Sequence, residues 1–113
     1  MLEKVGQIIL LKDFYGPLLT EKQQAILNLY YENDFSLSEI ADDMNISRQA
    51  VYDLVKRAEH QLLQYEKKLG LVEKFQHTRS QLELAHDLLN SDAIDFDKVQ
   101  RVARILQELG EML

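Results

Sequence analysis

Apolar residues recur at intervals of three and four along almost the whole chain, a spacing that places them on one face of an α-helix. Pro17 is the only proline and glycine occurs four times, so little turn chemistry is available for β-strands. The pattern therefore predicts an all-α protein. Its first helix is expected over residues 3–15 and ends where Gly16 and Pro17 interrupt the pattern.

Two polar pairs predict the starts of the next two helices. Thr20 with Gln23, and Ser36 with Glu39, have the spacing of a capping box, in which each side chain bonds the backbone N–H of the other residue. The second helix is expected to end at residues 33–34. Four residues are predicted to form its inward face: Ala25, Ile26, Leu29 and Tyr30.

The fourth helix carries the longest apolar seam of the chain. Ser47 can cap its first turn, and the seam has eight members: Val51, Leu54, Val55, Ala58, Leu62, Tyr65, Leu69 and Val72. Gly70 lies within the seam and costs about 1 kcal/mol relative to alanine inside a helix. We nevertheless predict that the helix passes through Gly70 toward Asn90.

A last helix is predicted over residues 96–109, and Gly110 is expected to end it. One face of this helix holds five residues: Val99, Val102, Ala103, Leu106 and Leu109. The helix can fold back on its predecessor as a hairpin. The predicted organisation is a helix-turn-helix domain over residues 1–69, followed by a long helix and a C-terminal helical hairpin over residues 70–113.

The length of the apolar seam also predicts an oligomer. A continuous helix over residues 47–90 spans about 65 Å at 1.5 Å per residue, which is more than a small bundle can cover. Since the commonest closed assembly has two-fold symmetry, we predict a homodimer. The competing interpretation is a monomer in which Gly70 ends the helix and the last two helices fold back onto residues 51–69.

The composition narrows the class of protein. The 113 residues include no cysteine, which excludes disulfides, thiolate zinc sites and cysteine nucleophiles. The longest apolar runs, residues 8–11 and 18–19, are far shorter than the roughly 20 residues of a membrane span. We therefore expect no membrane insertion and a cytoplasmic location.

Residues 37–56 meet the requirements of a helix-turn-helix. Ala41 is the small residue where the two helices cross, and Asn45 tolerates the left-handed backbone of the turn. Five apolar residues fix the second helix on the first: Ile40, Met44, Ile46, Val51 and Leu54. No strand pattern follows, so the unit has no wing. A generic helix pair with an asparagine turn is the alternative.

The exposed side of the second helix is the candidate nucleic-acid or partner site. It holds seven residues: Ser47, Arg48, Gln49, Tyr52, Asp53, Lys56 and Arg57. Arg48 and Gln49 can make bidentate contacts to guanine and adenine, and Lys56 and Arg57 can meet phosphates. Residues 1–69, however, hold eight basic and eleven acidic residues, and the whole chain has a net charge of -6, which opposes binding to a polyphosphate.

The alternative for these basic residues is a solvated helix face paired with Asp53 or Glu59 at helical spacing. The aromatic pairs at residues 14–15 and 30–31 are predicted to belong to the core, since helical spacing already accounts for them.

The candidate catalytic and metal-binding residues do not form a recognisable site. His60, His77 and His86 lack the spacing of three or four that puts two ligands on one helical face. The acidic residues at positions 92–97 lack the glycine and terminal glutamate of a calcium loop. Neither a phosphate-binding glycine loop nor a nucleophile motif occurs. The prediction is a protein without enzyme activity, metal or cofactor.

Several segments carry a family resemblance. Residues 19–31, 36–41 and 47–53 resemble the promoter-recognition region, region 4, of bacterial sigma factors. The pattern as a whole resembles the YlxM family of small helix-turn-helix proteins. The residues that carry this narrower resemblance are Tyr52-Asp53, Lys56-Arg57, Glu59, Tyr65-Glu66, Lys68-Leu69 and, near the start, Asp13-Phe14-Tyr15. The resemblance is good over residues 2–76 and less diagnostic beyond them.

The resemblance implies a regulatory or accessory role in the signal recognition particle pathway. The implied partners are the GTPase of the particle, its membrane receptor, or its RNA. The helix-turn-helix alone supports a second hypothesis, a DNA-binding transcriptional regulator. A third is an interaction module that uses the apolar seam and binds no nucleic acid.

Overall fold

A computed structural model describes the chain from residue 2 to residue 113, with side chains from residue 4 onward. Within that range the protein has six α-helices and no strand, which confirms the predicted all-α fold. The helices are α1 (Leu2–Tyr15), α2 (Glu21–Leu27), α3 (Leu37–Met44), α4 (Arg48–Leu69), α5 (Leu71–Leu89) and α6 (Phe96–Met112). A 3₁₀ turn (Gly16–Leu18) follows α1, and a π-helical turn (Asn28–Glu32) follows α2.

Hydrogen-bonded caps start the helices where the sequence predicts them. Both capping boxes are closed: the Thr20 and Ser36 side chains each accept a backbone N–H at 3.1 Å, and the side chains of Gln23 and Glu39 accept one in return. Ser47 caps α4 by accepting the Ala50 N–H. These caps satisfy N–H groups that have no partner within their own helices.

Two predicted helix boundaries are wrong, both at glycines. The helix that begins after Ser47 does not pass through Gly70, because Gly70 has a left-handed backbone (φ 62°) and α4 ends at Leu69. A left-handed residue after the last turn is a common end of a helix, and glycine adopts it without steric cost. Gly110, in contrast, does not stop α6, which continues to Met112.

The chain divides into two compact units, one ending at Val72 and the other comprising Glu73–Leu113. The predicted domain boundary falls three residues earlier, after residue 69. The observed boundary lies further along the sequence because Val72 is buried in the core of the first unit.

The core of the first unit forms around α4, which packs against α1, α2 and α3. Five of the eight seam residues are almost completely buried: Val51, Val55, Ala58, Leu62 and Val72. Leu54 and Tyr65 are half-buried. The rest of this core comes mainly from α1, α2 and the segment between them: Ile8, Leu11, Tyr15, Leu19, Ile26 and Leu27. The chain itself therefore covers most of the seam, so the length of the seam no longer requires a second subunit.

The inward face of α2 differs from its prediction at two residues. Ala25 is exposed, and Leu27, which the prediction omitted, is completely buried beside Ile26. The predicted core position of the aromatic pair at residues 14–15 is confirmed by Tyr15, which has no exposed surface.

A hydrogen-bond network joins α1 to the junction of α4 and α5. The Tyr15 hydroxyl donates to Glu66 Oε1 at 2.5 Å and accepts the backbone N–H of Leu71 at 3.0 Å. Glu66 Oε1 also accepts the Val72 N–H at 3.0 Å. The first N–H groups of α5 thus find partners in the side chains of α1 and α4.

The second unit is a helical hairpin of α5 and α6, as predicted. Its buried residues are Ala85, Val102, Ile105 and Leu109, with Leu88 and Met112 packed against them. Asp95 caps α6 by accepting the Lys98 N–H at 2.8 Å. The predicted inward face of α6 is only partly right, since Val99, Ala103 and Leu106 are exposed.

Candidate nucleic-acid interface

The turn between α3 and α4 has the geometry of a helix-turn-helix. Asn45 adopts the left-handed region (φ 58°, ψ 44°), as its place in the turn predicted. The backbone N–H groups of Asn45 and Ile46 both donate to the Ala41 carbonyl, which ends α3. Ala41 is 7% exposed and Ile40 is completely buried, so α3 is held tightly on the core beside α4.

The predicted site residues lie together at the N-terminal end of α4. Ser47 is the cap, and the other six are exposed: Arg48, Gln49, Tyr52, Asp53, Lys56 and Arg57. We call the six exposed residues the recognition face. Its spacing puts all six on one side of the helix, since residues at intervals of three and four are neighbours on a helical surface.

Three residues of the recognition face, Gln49, Asp53 and Lys56, are engaged in polar pairs. The Gln49 amide donates to Asp53 Oδ1 at 3.1 Å. The Lys56 ammonium lies 3.7 Å from Glu59 Oε1 and 5.6 Å from the centre of the Tyr52 ring. The Glu59 carboxylate raises the pKa of Lys56 and keeps it cationic. The contact between Lys56 and Glu59 matches the alternative in which a basic residue pairs with a carboxylate at helical spacing.

Arg48 and Arg57 differ from Lys56 in this respect. The ion pairs among the described residues include neither of them. Both guanidinium groups are therefore available to an anionic partner. Arginine suits this role, since its planar fork makes bidentate contacts to guanine or phosphate.

Three exposed carboxylates lie within or beside the recognition face, and we call them the acidic border. Asp42 and Asp43 are exposed on α3, and Asp53 is exposed on α4 itself. Carboxylates beside a docking surface repel phosphates, so they limit how many phosphates this surface can meet.

Two side chains behind the recognition face, Glu59 and Tyr31, form a partly buried hydrogen bond that the sequence did not predict. Glu59 is only 5% exposed and accepts a hydrogen bond from the Tyr31 hydroxyl at 3.0 Å. Burial, with the nearby Glu59 carboxylate, raises the pKa of Tyr31 well above its usual value. The sequence does contain a signal: Glu59 is spaced like a seam residue, four after Val55 and three before Leu62.

The described residues contain neither a metal-binding cluster nor a membrane-spanning helix. Across residues 2–113, no three histidines or carboxylates are grouped so that they could hold a metal ion. Over the same part of the chain, none of the helices has the length and apolar character needed to cross a membrane.

An all-helical core that presents a second helix through a left-handed turn defines a helix-turn-helix protein. Comparison with known families agrees. The chain belongs to the family UPF0122, described as "Putative helix-turn-helix protein, YlxM / p13 like", whose model matches residues 2–105.

Curated relatives match over nearly their whole length. A UPF0122 protein of Acetivibrio thermocellus is 45% identical over 97% of this chain and 99% of the relative. UPF0122 proteins of Bacillus mycoides and Bacillus anthracis are 41% and 40% identical over 96% of this chain and 99% of each relative. The resemblance to YlxM is thereby confirmed as family membership.

Proposed function

We propose that this protein is a non-enzymatic accessory protein that binds nucleic acid through the recognition face of α4. One observation carries the proposal: the first turns of α4 expose Arg48, Gln49 and Tyr52 on a helix fixed by the α3–α4 turn. In helix-turn-helix proteins this part of the second helix supplies the side chains that contact bases.

The resemblance to YlxM supports a place in the signal recognition particle pathway, which operates in the cytoplasm. We propose the RNA of the particle as the ligand of the recognition face, with the particle's GTPase or its receptor as protein partner. The acidic border supports a ligand that offers few phosphates, because a long straight duplex would bring phosphates against Asp42, Asp43 and Asp53.

Fluorescence anisotropy with labelled particle RNA tests the proposal. Arg48→Ala with Arg57→Ala is expected to weaken binding and to lower the slope of log affinity against log salt by about one for each phosphate that the variant no longer binds. Lys56 is left unchanged because it pairs with buried Glu59. Lys67→Ala with Lys68→Ala is the matched control, since it removes the same charge from the exposed far end of α4.

Two results would end the proposal in this form. One is the absence of RNA binding by the wild-type protein together with an unchanged GTPase rate when the protein is added to the particle's GTPase and receptor. The other is an equal fall in affinity in both double variants, which would reduce the effect to net charge.

A DNA-binding transcriptional regulator is the second candidate, and Arg48 favours it. An arginine on an exposed N-terminal turn is the residue type that most often reads guanine in the major groove. Selection of genomic fragments at about 0.1 M salt, where the Debye length is near 10 Å, tests this candidate. An enriched sequence supports a regulator, and a pool without enrichment rejects it.

A further inference from the structure

A cavity of about 210 Å³ opens beside the recognition face, within the N-terminal unit. Its walls include three tyrosines, Tyr30, Tyr31 and Tyr52. The Tyr30 and Tyr31 rings meet edge to face, with centres 5.0 Å apart. Tyr52 comes from α4 and is 44% exposed, so its ring is accessible from the recognition face. The cavity thus offers aromatic surface to a planar ligand.

The cavity also contains an acceptor that the protein does not use. Glu59 lines it, and Tyr31 and Lys56 both contact Oε1 of this carboxylate. Oε2 is buried, and no group in the described part of the chain donates a hydrogen bond to it. A buried acceptor without a donor is unfavourable, and more so when it is charged. A ligand N–H at this position would remove that cost.

Lys4 and Lys56 add positive charge to the same cavity. The side chain of Lys56 is 44% exposed, so its ammonium group can turn toward an anionic ligand. Three requirements then define the ligand: N–H donors for Glu59, a flat ring for the tyrosines and an anion for the lysines. An arginine side chain meets the first two, but the two ammonium groups repel it. A nucleotide meets all three.

The carboxylate discriminates among the bases. Guanine carries two adjacent N–H donors on its Watson–Crick edge, whereas uracil has one donor between two carbonyl groups that a carboxylate repels. A carboxylate has about four acceptor positions, so Glu59 keeps room for two donors beside Tyr31. Within a duplex this edge is already paired, and only an unpaired or extruded base can present it.

We propose that this cavity binds one unpaired guanine of the nucleic acid held on the recognition face. Glu59 accepts the N–H groups of the base, Tyr52 and Tyr30 contact its ring, and Lys4 with Lys56 lies near its phosphate. This inference rests on the proposed function, because the recognition face brings the nucleic acid to the cavity.

Anisotropy titrations of the full chain with labelled RNA hairpins test the inference. The hairpins differ at one loop position, which is guanosine, inosine or uridine. The wild-type protein is expected to bind the guanosine hairpin at least about tenfold more tightly than the uridine hairpin, equivalent to about 1.4 kcal/mol. Inosine, which lacks the exocyclic amine, is expected to fall between them.

Glu59→Gln is expected to abolish this preference while the uridine hairpin keeps its affinity, because an amide presents a donor where guanine needs an acceptor. Glu83→Gln, the same chemical change on an exposed residue of α5, is expected to leave the preference intact. Circular dichroism checks the fold of both variants. If Glu59→Gln does not fold, the comparison of the three hairpins on the wild-type protein still decides.

Three experimental results would overturn the guanine assignment, and each has a different meaning for the proposed function. Salt-dependent binding that is weakened by the arginine double variant but is equal for all three hairpins overturns the cavity and leaves the proposed function standing. Failure to bind any hairpin at about 0.05 to 0.2 M salt overturns both. An arginine peptide that binds through Glu59 while the hairpins show no base preference overturns the guanine assignment in favour of a protein ligand.

Discussion

Tyr15 uses a single hydroxyl to connect three helices. It is completely buried, donates to Glu66 on α4 and accepts the Leu71 N–H at the start of α5. Tyr15→Phe should lower the free energy of unfolding by about 1–3 kcal/mol, because it leaves buried polar groups without this partner. Urea denaturation measures the change.

Tyr65→Phe is the matched control for Tyr15→Phe. The Tyr65 hydroxyl donates to the Leu18 carbonyl at 3.3 Å in an exposed position, where water can take the place of the hydroxyl. Its removal should cost about 1 kcal/mol at most. Equal effects of the two substitutions would show that the Tyr15 network adds nothing to stability.

Stability at alkaline pH should depend on Tyr15 and Tyr31. Burial, together with the neighbouring carboxylates Glu66 and Glu59, raises the pKa of both hydroxyls above the value of about 10 that they have in the unfolded chain. Their stabilising contribution is therefore full below pH 10 and declines as the pH rises from there toward the raised folded-state pKa.

Urea midpoints at about pH 8 and pH 11 measure this decline. The double variant Tyr15→Phe with Tyr31→Phe should lose less stability between the two pH values than the wild-type protein. Tyr52→Phe controls for removal of a hydroxyl from an exposed ring. An identical decline in the double variant and the wild type would refute the effect.

Individual residues differed in how well the sequence predicted them. Asn45 could be predicted because few residues other than glycine and asparagine adopt the left-handed backbone of the turn. Glu59 could not, because a carboxylate on an apolar seam is normally expected to turn toward solvent. Its burial depends on Tyr31, which is 28 positions away in the sequence.

At the level of elements, the crossing of α3 and α4 depends on a small residue. Ala41 is 7% exposed and belongs to the core cluster with Ile40 and Val51. Ala41→Leu should overpack this crossing, lower stability by about 1–3 kcal/mol and weaken nucleic-acid binding by displacing α4. Thermal denaturation and the anisotropy assay measure the two effects, and an unchanged melting curve would contradict the packing.

The glycines at residues 6 and 70 should respond to alanine in opposite directions. Gly70 has a positive φ, so Gly70→Ala should destabilise the protein by about 1–2 kcal/mol although space for a methyl group is open. Gly6 lies inside α1 with equally open surroundings, so Gly6→Ala should stabilise it by about 0.5–1 kcal/mol. Chemical denaturation compares them, and a shift of the same sign in both would refute the assigned backbone at Gly70.

Helix starts could be predicted better than helix ends. Capping boxes depend on residues three apart in the sequence, and both formed. At Gly70 two signals conflicted: the seam continued to Val72, which is indeed buried, while the helix itself ended. At Gly110 the same residue type lies within a helix. The spacing of apolar residues reports burial and does not show whether the backbone between them is continuous.

At the scale of the whole molecule, the homodimer stays a prediction with a changed basis. The α4 seam is mostly covered, but α5 exposes Leu82 and Leu89, and α6 exposes Val99 and Leu106. Residues seven apart lie on one side of a helix, so each pair forms an apolar stripe of the kind that a second subunit covers.

Sedimentation equilibrium at micromolar concentration measures the assembly. The expected species has twice the 13.2 kDa mass of one chain. Dissociation by Leu82→Glu would place the interface on α5, and dissociation by Leu69→Glu would place it at the exposed end of the α4 seam. A species of 13.2 kDa would refute the dimer.

The π-helical turn after α2 has a consequence for comparing relatives. Its hydrogen bonds join residues five apart, as from Asn33 to Asn28, so the turn holds one residue more than an α-helical turn. Tyr30 and Tyr31 both lie within it. A relative with a one-residue deletion here would regain a regular helix and rotate one tyrosine away from the cavity. The length of this short segment, more than its composition, therefore marks which family members share the cavity.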